Sequence, residues 1–168
     1  MRTLLKMTTL CAALLLTGCA GTLFREPPAV GEPVAAVTAK LGQPTGSYPL
    51  PAGGQMLEYA TGPFGQFTWM ARIGADGRLL SYEQVLTGEK FATIKVDQAT
   101  KADVLRTIGR PAERSRVRLR NYEVWSYRYK EASVWNSLMH VHFDEAGVVR
   151  QMMNGPDPMF DVRDRHMW

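Results

Sequence analysis

The sequence predicts an α+β protein made of two tandem repeats, each a helix or helix-loop-helix followed by a three-stranded antiparallel sheet, with the helices on one sheet face. Composition supports a folded chain, because 45% of the 168 residues are hydrophobic and 21% are charged. A duplication is indicated by residues that recur in order 67 positions later: Val37, Leu41, Gly42 and Pro44 match Val104, Ile108, Gly109 and Pro111. Alternating apolar and polar residues follow both helix patterns.

The helical part of the second copy is the clearer one. Phe91 and Ile94 suggest a short first helix. Thr100 is a typical N-cap, and Asp103 three residues later approximates a capping box at the start of a second helix. Gly109 suits the left-handed position after that helix, so we expect the helix to end there.

Strand patterns follow each helix. In the second copy they cover residues 124–129, 139–143 and 148–153, with a turn at 145–147. In the first copy the helix stripe is Val34, Val37 and Leu41, and the strands cover 57–59, 67–73 and 79–86 with a hairpin at Asp76-Gly77. Pro27 and Pro28 break any earlier helix in that copy.

The N-terminus is typical of a secretion signal. Arg2 and Lys6 precede the short apolar run 10–16, and Leu-Thr-Gly-Cys at 16–19 resembles the lipobox of bacterial lipoproteins. That resemblance implies that Cys19 becomes the lipidated first residue of the mature chain. The same resemblance implies the outer membrane, because in Gram-negative lipoproteins an aspartate after the cysteine favours inner-membrane retention and this chain has Ala20 there.

These patterns divide the chain into five segments. We expect a lipoprotein signal peptide at 1–18, a lipid-anchored tether at 19–32, a first repeat at 33–87, a second at 88–155 and a flexible tail at 156–168.

A family resemblance lies mainly in the second copy. Its capped helix, Ile-Gly-Arg-Pro at 108–111, Val-Trp-Ser-Tyr at 124–127 and His-Phe-Asp-Glu-Ala-Gly-Val-Val at 142–149 resemble the SmpA/OmlA domain of BamE-like outer-membrane lipoproteins. The resemblance implies a periplasmic accessory of outer-membrane protein assembly. The two-copy arrangement is more similar to the β-lactamase-inhibitor protein (BLIP) architecture, which implies a sheet presented to another protein.

One block of the chain is basic. Residues 101–130 hold nine Lys and Arg against three Asp and Glu. Outside the cytoplasm, anionic lipid head groups and acidic proteins are the available partners, which excludes nucleic acid. Arginines at alternate positions, Arg114, Arg116, Arg118 and Arg120, would share one face of a strand, with Val117 and Leu119 packed on the other. They form either a site for phosphates and carboxylates or a charged edge that prevents aggregation.

Two aromatic residues occupy corresponding loops of the two copies. Phe64 lies between Gly62-Pro63 and Gly65, and Trp135 precedes Asn136. Each is either an interface anchor or a ring folded over its own sheet edge.

Metal binding and catalysis have little support. His140 and His142 share a strand face with Asp144 next in register, but a transition metal needs three or four ligands. No nucleophile elbow, P-loop or zinc-protease motif occurs. We therefore expect no cofactor and no enzyme activity.

The function expected is that of an outer-membrane lipoprotein on the periplasmic face, which binds an envelope protein, with the barrel-assembly machinery as a candidate. The alternative is a BLIP-like inhibitor or regulator of an envelope hydrolase.

Overall fold

The structure is a computed structural model that describes residues 26–160. The predicted signal peptide, Cys19 and residues 161–168 lie outside the described residues. Three helices are present in the described part: α1 Val34–Leu41, α2 Gly88–Ala92 and α3 Lys101–Ile108. Within residues 26–160, no helix has the length and apolar character needed to cross a membrane.

The strands form two antiparallel sheets of four strands each. The first sheet contains β1 Gly46–Pro49, β2 Gln55–Ala60, β3 Thr68–Ile73 and β4 Leu79–Gln84, in that order. The second contains β5 Glu113–Val117, β6 Tyr122–Glu131, β7 Trp135–Phe143 and β8 Val149–Pro156, also in order. The α+β class is confirmed.

The prediction of three strands in each sheet is wrong, because β1 and β5 each add an edge strand. β1 has only four residues and contains glycine and proline. All five residues of β5 are exposed, so no face of it is buried. The alternation of buried and exposed residues that reveals a strand in sequence is therefore missing from β5.

The helix ends follow the sequence signals. Thr100 and Asp103 form a full capping box at α3, as predicted. Gly109, with φ 79°, follows α3, and Gly42, with φ 87°, follows α1, so both helices end at the predicted glycines. Their ψ values of −160° and −168° lie outside the left-handed helical region expected for Gly109, so that detail is wrong. Pro33 precedes α1 and offers no side-chain cap, so α1 depends more on packing than α3 does.

The first sheet is covered on both faces. On one face, Val37 of α1 packs in a small cluster with Leu57, Ala71 and other apolar residues of β2 to β4. On the other face, Met70 belongs to a larger core that contains Tyr127 and residues of α2 and α3. The two sheets therefore share a core and are not separate units.

Two predicted boundaries are corrected. Gly31 donates a backbone hydrogen bond to Leu79, and Leu79 donates one to Glu32, so the end of the predicted tether belongs to the folded domain. At the other terminus, β8 reaches Pro156 and Asp157 is buried. A flexible tail beginning at 156 is therefore wrong for residues 156–160, because a buried ion pair holds them.

Candidate functional site

Phe64 and Trp135 project from two neighbouring connections. Phe64 lies in the β2–β3 loop and is 67% exposed, and Trp135 begins β7 and is 68% exposed. The turn before Trp135 places Ala132 and Ser133 at positive φ, as in type I′ hairpin turns, although neither residue favours that region. The exposure of both rings argues against their folding over the sheet edges, and their role as interface anchors stays a prediction.

Hydrogen bonds bring these connections together. Gln66 donates from Nε2 to Oδ1 of Asn136 at 2.9 Å, and Arg128 donates from Nη1 to the carbonyl of Pro63 at 3.4 Å. Residues near Phe64 and Trp135 are therefore in contact between the two sheets, although Gln66 and Asn136 lie 70 positions apart in sequence. One end of the molecule carries both exposed rings.

A buried ion pair fixes the C-terminal segment at the same end. Arg128, whose side chain is only 6% exposed, lies 3.1 Å from a carboxylate oxygen of the fully buried Asp157 and 2.6 Å from Glu113. The backbone N–H of Asp157 donates to Asn136 at 3.0 Å. A buried cation needs such partners, since an unpaired one is strongly unfavourable.

We call this surface the aromatic end. It consists of partly or largely exposed apolar residues from both sheets and the C-terminal turn: Phe64, Val134, Trp135, Met159 and Phe160. Sequence reasoning found the two rings but missed Gln66, Arg128 and Asp157, which assemble them. In the sequence, Arg128 stands out only because it lies between Tyr127 and Tyr129 in a predicted strand, and Asp157 resembled a tail residue because prolines flank it.

The arginines do not form one continuous strand face. β5 ends at Val117, a 3-10 turn spans Arg118–Arg120, and Asn121 adopts a left-handed conformation with φ 52°. Leu119 is 97% exposed and Val117 is 40% exposed, so the prediction that these two side chains pack under the strand is wrong. The physical reason is that β5 has nothing buried beneath it to hold the chain extended past Val117.

Residues 114–120, here called the arginine segment, carry four arginines that form no ion pair within the described residues. The guanidinium of Arg114 lies over the ring of Trp125 at 4.7 Å, and Arg116 donates to Oδ1 of Asn121 at 2.9 Å.

The nearby acids have other partners. Glu113 binds Arg128, and Glu123 receives hydrogen bonds from Lys101 at 2.6 Å and from the indole of Trp125. The hydrogen bonds from Lys101 and then Trp125 lower the pKa of Glu123, and the nearby charges add to this. Arg114 is one of these nearby charges, but neither Glu113 nor Glu123 forms an ion pair with the arginine segment.

The histidines on β7 have ordinary structural surroundings. A ring nitrogen of His140 lies 2.8 Å from the hydroxyl of Ser126, and Asp144 pairs with Arg150 at 2.8 Å. Burial, with a smaller effect of His140, lowers the pKa of His142. In residues 26–160, no group of three His, Cys, Asp or Glu residues could hold a metal ion.

Glu58 is a buried carboxylate that sequence reasoning missed. It accepts hydrogen bonds from the phenol of Tyr48, the hydroxyl of Thr45 and the backbone N–H of Arg110. Burial and the neighbouring Glu58 raise the pKa of Tyr48. These contacts join β2 to the segment after α3 and border a 270 Å³ cleft, so we assign Glu58 to the junction of the two halves.

Comparisons with known proteins give no relative for this chain. No family model matches it. No curated protein and no solved structure matches it significantly. The function must therefore be argued from the site itself.

Proposed function

We propose that this protein is an outer-membrane lipoprotein that binds another envelope protein through the aromatic end. One observation carries the binding role: the β2–β3 loop meets the start of β7 through Gln66 and Asn136, and the nearby rings of Phe64 and Trp135 are both largely exposed. Exposed rings on a rigid, buried support are typical interface anchors, because they bury much area at little entropic cost.

We also propose that the two halves descend from a duplication. In support, each half has a helix ended by a positive-φ glycine, Gly42 or Gly109, and then four antiparallel strands. The residues that recur at the 67-residue offset supply these helix ends. This arrangement also supports the resemblance to paired BamE-like or BLIP-like units.

The lipid anchor rests on the lipobox-like sequence at 16–19. The N-terminal segment of the described chain first bonds to the sheet at Gly31, which donates to Leu79 at the start of β4. β3 runs from the Phe64 loop to the hairpin that precedes β4, so the entry point and Phe64 lie at opposite ends of the first sheet. A protein partner could therefore reach the aromatic end without displacing the tether.

The anchor is tested with Cys19→Ala in cells labelled with a fatty acid. We expect the label to be lost and the protein to leave the membrane fraction. A labelled alanine variant would contradict lipidation at this residue.

The binding role is tested by placing a photo-crosslinking amino acid at position 135 in cells. Leu80, an exposed residue of β4, provides the matched control position. We expect a discrete protein adduct from position 135 and none from position 80. A barrel-assembly subunit in the adduct supports the accessory role, whereas a single hydrolase supports the BLIP-like alternative. Equal yields from both positions would contradict the proposal.

A further inference from the structure

β5 is an open edge of the second sheet. It pairs with β6 on one side, and every one of its five residues is exposed. Other outer strands are partly covered: Leu79 of β4 bonds to the chain at Gly31 and Glu32, and Val149 of β8 bonds to Asp97 and Ala99. An open edge presents unpaired backbone N–H and C=O groups to any extended chain.

The charges at this edge that form no ion pair are positive. Arg114 and Arg116 lie on β5, and Arg118 and Arg120 follow on the 3-10 turn. Glu113, the acidic residue of β5, is already bound to Arg128. Like charges directly opposite each other destabilise a strand pair, so these arginines disfavour pairing with a second copy of β5.

Two apolar side chains accompany the arginines. Val117 is 40% exposed at the end of β5, and Leu119 is almost fully exposed beyond it. A strand that only needed protection from aggregation would gain nothing from an exposed leucine. Backbone groups, positive charges and apolar contacts together provide the elements of recognition by strand addition.

We propose that β5 accepts an extended acidic segment of a partner protein as a fifth strand of the second sheet. The partner's backbone pairs with the open edge of β5, and its carboxylates meet Arg114 and Arg116. Bidentate contacts between guanidinium and carboxylate groups give this pairing its charge preference. The inference deepens the proposed binding role by naming a second contact surface and its partner's chemistry.

A polypeptide fits this surface better than an anionic membrane does. Lipid phosphates could bind the arginines, but they offer no regularly spaced donors and acceptors for the backbone of β5. A strand supplies both at the spacing of the sheet. Anionic vesicles therefore serve as the competing outcome of the test.

The test uses the full-length protein and a fluorescent ten-residue peptide that alternates Glu and Thr. We expect binding that weakens with salt, together with slower hydrogen exchange at residues 113–117. The same peptide N-methylated at alternate residues cannot pair through its backbone, and we expect it to bind at least tenfold more weakly. A peptide with Lys in place of Glu should not bind.

Two sets of variants test whether the peptide binds at the arginines of β5. Arg114→Gln with Arg116→Gln should weaken peptide binding about tenfold, since two exposed charge pairs are lost. Arg72→Gln, an exposed arginine of β3, should leave binding unchanged. Equal binding of the N-methylated peptide would overturn strand addition, and so would arginine-dependent binding to phosphatidylglycerol vesicles without peptide binding. Cross-linking at position 135 reports on the aromatic end independently, so the two proposals can fail separately.

Discussion

The two halves of the molecule share an architecture but differ in how firmly each is held. The second half has strands of up to ten residues, a fully capped α3 and an aromatic core that contains Phe91 and Tyr127. The first half has shorter strands, an uncapped α1 and a smaller cluster around Val37. Because Met70 and Glu58 face the second half, the first sheet is stabilised by its neighbour as well as by its own helix. We infer that the second half is a scaffold on which the first half depends for stability. Both halves contribute residues to the aromatic end.

The largest single loss of stability should come from the larger core. Phe143→Ala removes a fully buried ring of the larger core and should cost about 4 kcal/mol of unfolding free energy. Leu57→Ala, in the smaller cluster, should cost about 2 to 3 kcal/mol. Urea unfolding checks both values. A larger loss from Leu57→Ala would reverse the assignment of scaffold and dependent half.

The ion pair at the aromatic end is expected to matter more than a surface pair. Asp157→Ala leaves Arg128 buried with only Glu113, and should cost about 3 kcal/mol. Asp97→Asn breaks an exposed pair with Arg150 while keeping a residue type that tolerates the positive φ of this position, and it should cost much less. Urea unfolding compares them, and equal losses would show that residues 156–160 are not held as described.

The two helix-ending glycines provide a sharper comparison. Gly42→Ala meets no neighbour within 4 Å, so the backbone strain of φ 87° with ψ −168° alone should cost about 1 to 3 kcal/mol. Gly109→Ala also places a methyl group 2.8 Å from a carboxylate oxygen of the buried Glu58, and overpacking should add about 1 to 3 kcal/mol. Thermal unfolding of both variants measures the difference. Equal losses would mean that Glu58 moves aside freely.

The smallest effect concerns acid stability at the capped helix. Hydrogen bonds from the Thr100 side chain and backbone, and then Arg106, hold the pKa of Asp103 below its ordinary 3.8. A lowered folded-state pKa contributes stability that is present above 3.8 and is lost as the pH falls through the lower folded value. Thr100→Ala should therefore raise the pKa of Asp103 toward 3.8, as measured by NMR titration. An unchanged value would contradict the capping box as its cause.

Sequence patterns predicted the parts of the fold that bury a regular face. The capping box of α3, the glycines after α1 and α3, and the longer strands all leave a periodic or local signal. β5 was considered as an extended arginine stretch but was not counted in the sheet, because no face of it is buried, and the path beyond Val117 was wrong for the same reason.

Long-range polar contacts left no comparable signal. Arg128 meets Asp157, and Gln66 meets Asn136, only because two sheets and the C-terminal turn converge. The exposed rings Phe64 and Trp135 could be named from their loops, but their convergence could not be inferred from one strand pattern.

The central claim is that the two sheets build one protein-binding surface, and cross-linking from both sheets tests it most directly. A photo-crosslinking residue at position 64, in the first sheet's loop, is compared with one at position 135, at the start of β7. We predict that both positions give an adduct with the same partner protein, identified by mass spectrometry, and that Asp157→Ala reduces both yields. Different partners from the two positions, or adducts from only one of them, would contradict the account.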